Sequence, residues 1–191
     1  MGQYYRIFMC EENGGNPRVY IAGDYDNCSK LTDHSYYKNE FVEVALSQLA
    51  ATETNDNATR VWWVGDYADD HDIPMDKKKY KPTERAWHSD NLIKIHNGTF
   101  DFEAKLYLVN LEKKEYVDLL MAKKINTIEN RRRLCVHPLP MLTAVGNGRG
   151  GGDYRGNNCE MVGEWAGDLL MVTDTVPLNY TDISNSVCFS H

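Results

Sequence analysis

The sequence predicts one α+β domain with a mainly antiparallel sheet, few helices and two pseudo-symmetric halves. The chain has 191 residues, of which 42% are hydrophobic and 26% charged, and this is an ordinary globular composition. Two hairpin patterns occur, one in residues 4–22 and one in residues 105–120. A W-x-G-D motif also occurs twice, at residues 63–66 and 165–168. We therefore expect a single domain over residues 1–191, with halves of roughly 1–70 and 100–173 joined by a long loop at 65–90.

The first half combines a hairpin, a helix and a strand. Residues 4–12 are rich in aromatic and β-branched side chains, residues 13–17 have turn chemistry, and residues 18–22 form the returning strand. Asn39 can cap a helix with one apolar stripe, and residues 60–64 form a short apolar strand. The stripe contains Phe41, Val42, Ala45, Leu46 and Leu49. The polar stretch at 65–90 is long for a loop, so it is either functional or contains local structure that the pattern does not reveal.

The second half repeats this order less clearly. A strand is expected at residues 92–96, and a hairpin is expected from residues 105–111 and 115–120. Residues 123–133 are basic and have no clear period, whereas residues 139–145 can form a short helix opened by Pro138 or Pro140. The last strong strand is predicted at residues 169–173, and the sequence beyond it shows no period.

Three pairs of residues recur at nearly one offset, 102 or 103 positions, and in the same order. They are Tyr4 and Tyr107, His34 and His137, and Trp63 and Trp165. A fixed offset indicates repeated structural units, so we predict an internal duplication with a cleft along its pseudo-twofold axis. Two histidines facing across such a cleft would suit acid–base chemistry, while a structural role beside a helix is the simpler alternative.

Composition limits the partners. The net charge of −7 and the pI near 5.3 argue against broad nucleic-acid binding but allow a small anionic ligand in a local basic pocket. No apolar run is long enough for a membrane helix, and the first residues lack a signal-peptide core. The five cysteines are odd in number and widely spaced, which predicts a reducing compartment, and hence the cytoplasm. A homo-oligomer is compatible with this composition.

The glycine loop (residues 146–156) contains six glycines in eleven positions. Such a backbone can direct several N–H groups at one anion, and arginines can add contacts to phosphate. The pattern is neither a Walker loop nor a Rossmann fingerprint, so the cofactor is unknown. A tightly turned surface loop is the alternative. The predicted ligand-binding residues are Gly148, Arg149, Gly150, Gly151, Gly152, Asp153, Tyr154, Arg155 and Trp165.

The acidic loop (residues 66–72) contains the densest group of ligands for a hard metal ion. Mg²⁺ and Ca²⁺ prefer several oxygen ligands, and the predicted metal set is Asp66, Asp69 and Asp168. Such a site would activate water for hydrolysis. The spacing is not that of an EF-hand, and a solvated turn with capping aspartates is the alternative.

Several of these segments together resemble a family of short bacterial and phage proteins. The matching residues are the opening M-G-Q-Y-Y, G-D-Y-A-D at 65–69, G-N-G-R-G-G-G-D at 146–153 and W-A-G-D at 165–168. The resemblance implies a prokaryotic or viral origin and carries no activity with it. In that family G-D-Y-A-D follows the glycine motif, whereas here it precedes it, so residue roles do not transfer.

Two main functions are compatible with these patterns. The first is non-catalytic binding of a nucleotide or another phosphorylated small molecule. If the origin is a phage, such a protein would sequester a host signalling nucleotide. The second is metal-dependent hydrolysis of a similar ligand through the acidic loop. A third alternative is a protein-interaction module in which the glycines serve only turns. We favour binding, because the glycines and arginines are the least ordinary feature and no complete catalytic set is visible.

Overall fold

The computed structural model describes residues 2–50, 58–88, 98–129 and 135–189, and eight strands in these residues form one sheet. The strands are β1 (Tyr5–Glu11), β2 (Arg18–Ile21), β3 (Thr59–Gly65), β4 (Tyr107–Asn110), β5 (Glu115–Asp118), β6 (Ala144–Val145), β7 (Leu169–Thr173) and β8 (Thr181–Asp182). The helices are α1 (Leu31–His34), α2 (Glu40–Ala50), α3 (Pro82–His88), α4 (Leu119–Glu129) and α5 (Pro138–Leu142). The predicted α+β class with a mainly antiparallel sheet is confirmed.

The sheet has the order β2-β1-β3-β7-β4-β5-β8, and β6 pairs in parallel with β3. In both halves a β-hairpin is followed by helical residues and then by another strand. This returning strand pairs antiparallel with the first strand of the hairpin. The returning strands, β3 and β7, meet at the centre, where Thr59 lies opposite Leu170. Trp63 lies inside β3, whereas Trp165 precedes β7, so the two W-x-G-D segments do not occupy matching positions. Descent by duplication stays a prediction.

One face of the sheet packs against α2, α4 and α5. The predicted apolar stripe of α2 is confirmed, since all five of its residues are buried in this core. Asn39 begins the helix as expected, because its Oδ1 accepts hydrogen bonds from the backbone N–H groups of Phe41 at 2.9 Å and Val42 at 3.4 Å. Helix α4 covers most of the basic segment whose period is unclear in the sequence. No helix among the described residues has the length and hydrophobicity that a bilayer crossing requires.

The opposite face of the first half is covered by residues 66–88. A 3-10 helix at Lys78–Tyr80 and helix α3 lie within this segment. Ile73, Tyr80 and Ala86 pack against the face of the sheet that carries Phe8 and Trp62. The long connection is therefore a packed layer rather than an open loop. The predicted strand at 92–96 and the arginines at 131–133 lie outside the described residues.

Candidate functional site

The glycine loop forms a backbone nest, and the nest holds a carboxylate of the protein itself. The N–H groups of Gly148 and Gly150 both donate to Asp153 Oδ2, at 2.8 and 2.9 Å. Gly148 and Gly152 have φ angles of +94° and +82°, which residues other than glycine rarely adopt. The predicted anion geometry is therefore present, and the anion that it holds is Asp153.

The side chain of Gln3 connects this nest to the acidic loop. Gln3 is fully buried, and its Nε2 donates to Asp153 Oδ2 at 3.1 Å and to the carbonyl of Gly146 at 2.8 Å. Its Oε1 accepts a hydrogen bond from the backbone N–H of Tyr67 at 3.2 Å. One amide thus fixes the glycine loop and the acidic loop relative to each other.

The last glycines of the motif serve close packing. Gly151 O accepts a hydrogen bond from Gln3 N at 3.1 Å, and Gly152 O accepts hydrogen bonds from both the backbone N–H and the hydroxyl of Thr32. A Cβ on Gly150 would lie 2.6 Å from Gln3 N, so no side chain fits there without movement. These contacts favour the turn interpretation for Gly150, Gly151 and Gly152.

Arg149 points to the acidic loop. Its Nη1 lies 3.0 Å from Asp69 Oδ2, and its Nη2 lies 2.8 Å from Asp72 Oδ1. The hydrogen bond to Asp72 raises the pKa of Arg149, and the backbone N–H of His71 together with Arg149 lowers the pKa of Asp69. The two loops that the sequence presents as competing candidates are therefore joined by this arginine. Arg155 is exposed and forms no ion pair within the described part of the chain.

The two aromatic residues of the predicted ligand set lie in the core. Tyr154 is 2% exposed, its hydroxyl donates to Asn157 O at 2.7 Å, and its ring contacts Phe189 edge-on. Trp165 is fully buried, and its Nε1 donates to Glu115 Oε2 at 2.9 Å. Neither ring presents a face on which a base can stack, so burial gives both residues a packing role.

The predicted metal set does not form a metal site in the described residues, where no group of three or more His, Cys, Asp or Glu side chains can hold an ion. Asp66 Oδ1 accepts a hydrogen bond from Tyr4 N at 3.0 Å, and Asp69 Oδ1 accepts one from His71 N at 2.8 Å. These contacts are those of turn and capping residues. They favour the capping alternative for Asp66 and Asp69.

Asp168 belongs to a separate, buried cluster. Its Oδ1 lies 3.2 Å from Lys77 Nζ, and its Oδ2 accepts a hydrogen bond from Asn110 Nδ2 at 2.8 Å. Lys77 also pairs with Glu112, whose Oε1 lies 2.9 Å from Arg60 Nη1. Burial raises the pKa of Asp168. The cluster ties the segment of residues 66–88 to the second half of the sheet.

The predicted histidine pair has structural contacts only. The segments that contain His34 and His137 lie side by side, and Tyr36 pairs with Val136 between them. Both imidazoles are fully buried, and burial lowers the pKa of His34 to about 4 and that of His137 to about 3. His34 Nε2 accepts a hydrogen bond from Trp63 Nε1 at 2.9 Å. His137 Nδ1 caps α5 by accepting a hydrogen bond from Leu139 N at 3.1 Å.

An open cleft of about 880 Å³ separates the acidic loop from helix α3, and we call it the α3 cleft. Trp87 and Ala68 are its apolar lining residues. The Trp87 indole donates a hydrogen bond from Nε1 to Val64 O at 3.2 Å, and the Arg6 guanidinium lies over its ring, 4.2 Å from the centroid. Charged and polar side chains form the rest. The lining residues are Asp66, Ala68, Asp69, Asp70, His71, Lys78, Lys81, Thr83, Glu84, Trp87 and His88.

The basic groups of this cleft are only weakly engaged. Lys81 pairs with Glu84 at 2.9 Å, and both side chains are more than 60% exposed. Lys78 forms no ion pair with any described residue. The acidic loop is a candidate metal site in the sequence, whereas the wall that α3 provides was not predicted. The signal was the three- and four-residue spacing of Lys81, Glu84 and His88.

No family model, curated protein or solved structure matches this chain. Function is therefore inferred from the geometry and charge of the α3 cleft.

Proposed function

We propose that the protein is a non-catalytic binder of a nucleotide or another small phosphorylated molecule, and that the ligand binds in the α3 cleft. The observation that carries this proposal is one open cavity lined by Trp87 and by two lysines, of which Lys81 forms only an exposed ion pair. Its volume of about 880 Å³ lies within the range of small-molecule sites, roughly 300–1,000 Å³.

Each wall of the cleft suits one part of such a ligand. Lys78 and Lys81 provide ammonium groups for phosphate oxygens, and the pair of Lys81 with Glu84 is exposed and therefore weak enough to exchange. Trp87 lines the cleft and would offer a base the part of its ring that the Arg6 guanidinium, 4.2 Å from the ring centroid, leaves uncovered. Asp70 and Glu84 can accept hydrogen bonds from sugar hydroxyls or amino groups.

The other two arrangements considered from the sequence receive less support. The nest is filled by Asp153, so a phosphate would have to displace a covalently tethered carboxylate. Hydrolysis through a metal ion lacks a ligand group among the described residues. Binding without turnover is also what the sequestration of a signalling nucleotide would require.

Isothermal titration with linear and cyclic adenine and guanine nucleotides tests the proposal. We expect at least one ligand, and we expect Lys78→Ala and Lys81→Ala each to weaken it about tenfold, because a hydrogen bond to a charged group contributes about 1.5 kcal/mol or more. Lys124→Ala is the matched control, since Lys124 is exposed on α4 across the sheet. The proposal fails if no nucleotide binds, or if both cleft variants bind as the wild type does.

A further inference from the structure

The acidic wall of the α3 cleft is an unexpected neighbour for a phosphorylated ligand. Residues 66–72 contain four aspartates, and three of them, Asp66, Asp69 and Asp70, line the cavity. Their carboxylates would repel phosphate if nothing balanced them. Arg149 offsets one unit of this negative charge from outside the cavity, because its guanidinium contacts both Asp69 and Asp72.

The position of Arg149 is built into the fold. Its two neighbours in the chain, Gly148 and Gly150, both donate their N–H groups to Asp153, so the backbone is held on each side of the arginine. Gln3 then fixes Asp153 on one side and Tyr67 on the other. The glycine loop therefore presents a fixed cation to the acidic loop, which explains why the nest and the arginine occur in one segment.

From this arrangement we infer that Arg149 is a specificity-determining residue of the α3 cleft: by offsetting one negative charge of the acidic loop it shifts the preference of the cleft towards anionic ligands. Arg149 is not a lining residue of the cavity, so it acts on the ligand through Asp69 as a specificity-determining residue. The part of this inference that concerns nucleotides rests on the proposed function. The part that concerns charge does not.

The ligand arm of the test compares ADP with adenosine, which share a base and a ribose but differ in charge. In Arg149→Ala we expect ADP affinity to fall about fivefold while adenosine affinity is unchanged, since the lost charge is half-exposed. Asp72→Asn removes one carboxylate that lies outside the cavity and retains an oxygen for its hydrogen bond from Asp69 N. This variant should bind ADP more tightly, by a similar factor, whereas a merely damaged loop would bind it less tightly.

The ion arm uses calcium chloride alone and needs no nucleotide. Removing the guanidinium leaves Asp69 and Asp72 without their cation, so millimolar Ca²⁺ should raise the melting temperature of Arg149→Ala by mass action. The wild type and Arg149→Lys should respond much less. Arg155→Ala is the matched control, because it removes an exposed arginine of the same loop that forms no ion pair within the described residues.

The outcomes separate the two proposals. If no nucleotide binds the wild type but Arg149→Ala gains a Ca²⁺ response, the proposed function fails and the charge-setting role of Arg149 stands. If Arg149→Ala keeps the wild-type preference for ADP over adenosine, the inference is overturned, whatever Ca²⁺ does. It is also overturned if Asp72→Asn weakens ADP, or if Arg155→Ala has the effect expected of Arg149→Ala, because the loop would then hold the ligand directly.

Discussion

Replacing Asp153 by alanine should strongly destabilise the protein. Three donors converge on Asp153 Oδ2, namely the N–H groups of Gly148 and Gly150 and the side-chain amide of Gln3. Asp153 is 7% exposed, so these donors have little access to water in its absence. A hydrogen bond to a charged group contributes about 1.5–3 kcal/mol, and the lower end applies where water can enter the emptied nest. We therefore expect a loss of about 4 kcal/mol for Asp153→Ala.

Asp153→Asn provides the graded control. The amide oxygen can still accept the two backbone hydrogen bonds, but without the charge, so the loss should be about 2 kcal/mol. Urea unfolding followed by tryptophan fluorescence measures both values, since Trp62, Trp63 and Trp165 are fully buried in the folded state. The assignment is refuted if both variants unfold within about 1 kcal/mol of the wild type, a change that ordinary surface substitutions approach.

Rescue by a free anion makes the same test specific to the nest. Asp153→Ala leaves the N–H groups of Gly148 and Gly150 directed at an empty position of anion-binding geometry. Inorganic phosphate should therefore raise the melting temperature of Asp153→Ala more than that of the wild type. Equal responses in both proteins would show that the cost of the substitution arises elsewhere in the loop.

Two further predictions concern stability. The pKa values of His34 and His137 lie below their unfolded value of about 6.5, so only the unfolded state takes up these protons as the pH falls from about 6.5 towards 4. Stability should be complete above this window and fall within it by about 1.4 kcal/mol per pH unit for each histidine; a flat urea midpoint across it would contradict this. Gly150→Ala should lower the free energy of unfolding more than Gly148→Ala does. A Cβ at position 148 meets open space, so Gly148→Ala should cost only about 1 kcal/mol, from the positive φ of that residue. Melting temperatures in the reverse order would contradict the packing of Gly150 on Gln3.

Local sequence patterns were sufficient to predict those elements whose signal lies within the element itself. The α2 stripe and its cap at Asn39 follow from spacing and side-chain chemistry within eleven residues, and both are confirmed. The hairpins follow from apolar strands around polar turns. Residues 66–88 give no such signal, because their few apolar anchors, such as Ile73 and Tyr80, are too far apart for a period. Only the hydrophobic face of the sheet beneath them explains why they pack.

Contacts between distant residues explain what the sequence reasoning missed. Lys77 stands in a charged stretch and would be expected at the surface, yet it is 7% exposed because Glu112 and Asp168 meet it across the fold. Trp165 shares a motif with Trp63, but β7 begins only after the motif ends, whereas Trp63 lies inside β3. The same motif therefore occupies different positions relative to its strand. Neither fact can be read from a window of neighbouring residues.

The glycine loop shows how charge can decide between two interpretations of one motif. A phosphate site needs positive or neutral groups around its backbone N–H donors, and a carboxylate in the same loop opposes the ligand. Asp153 follows Gly150 by three residues, close enough for its side chain to fold back onto the donors at 2.8 and 2.9 Å. An acid at that spacing therefore favours a self-filled nest, and it leaves Arg149 free to act on a neighbouring loop. The nest therefore has the geometry of an anion site, but its own acid fills it, and the cation that it positions faces the acidic loop.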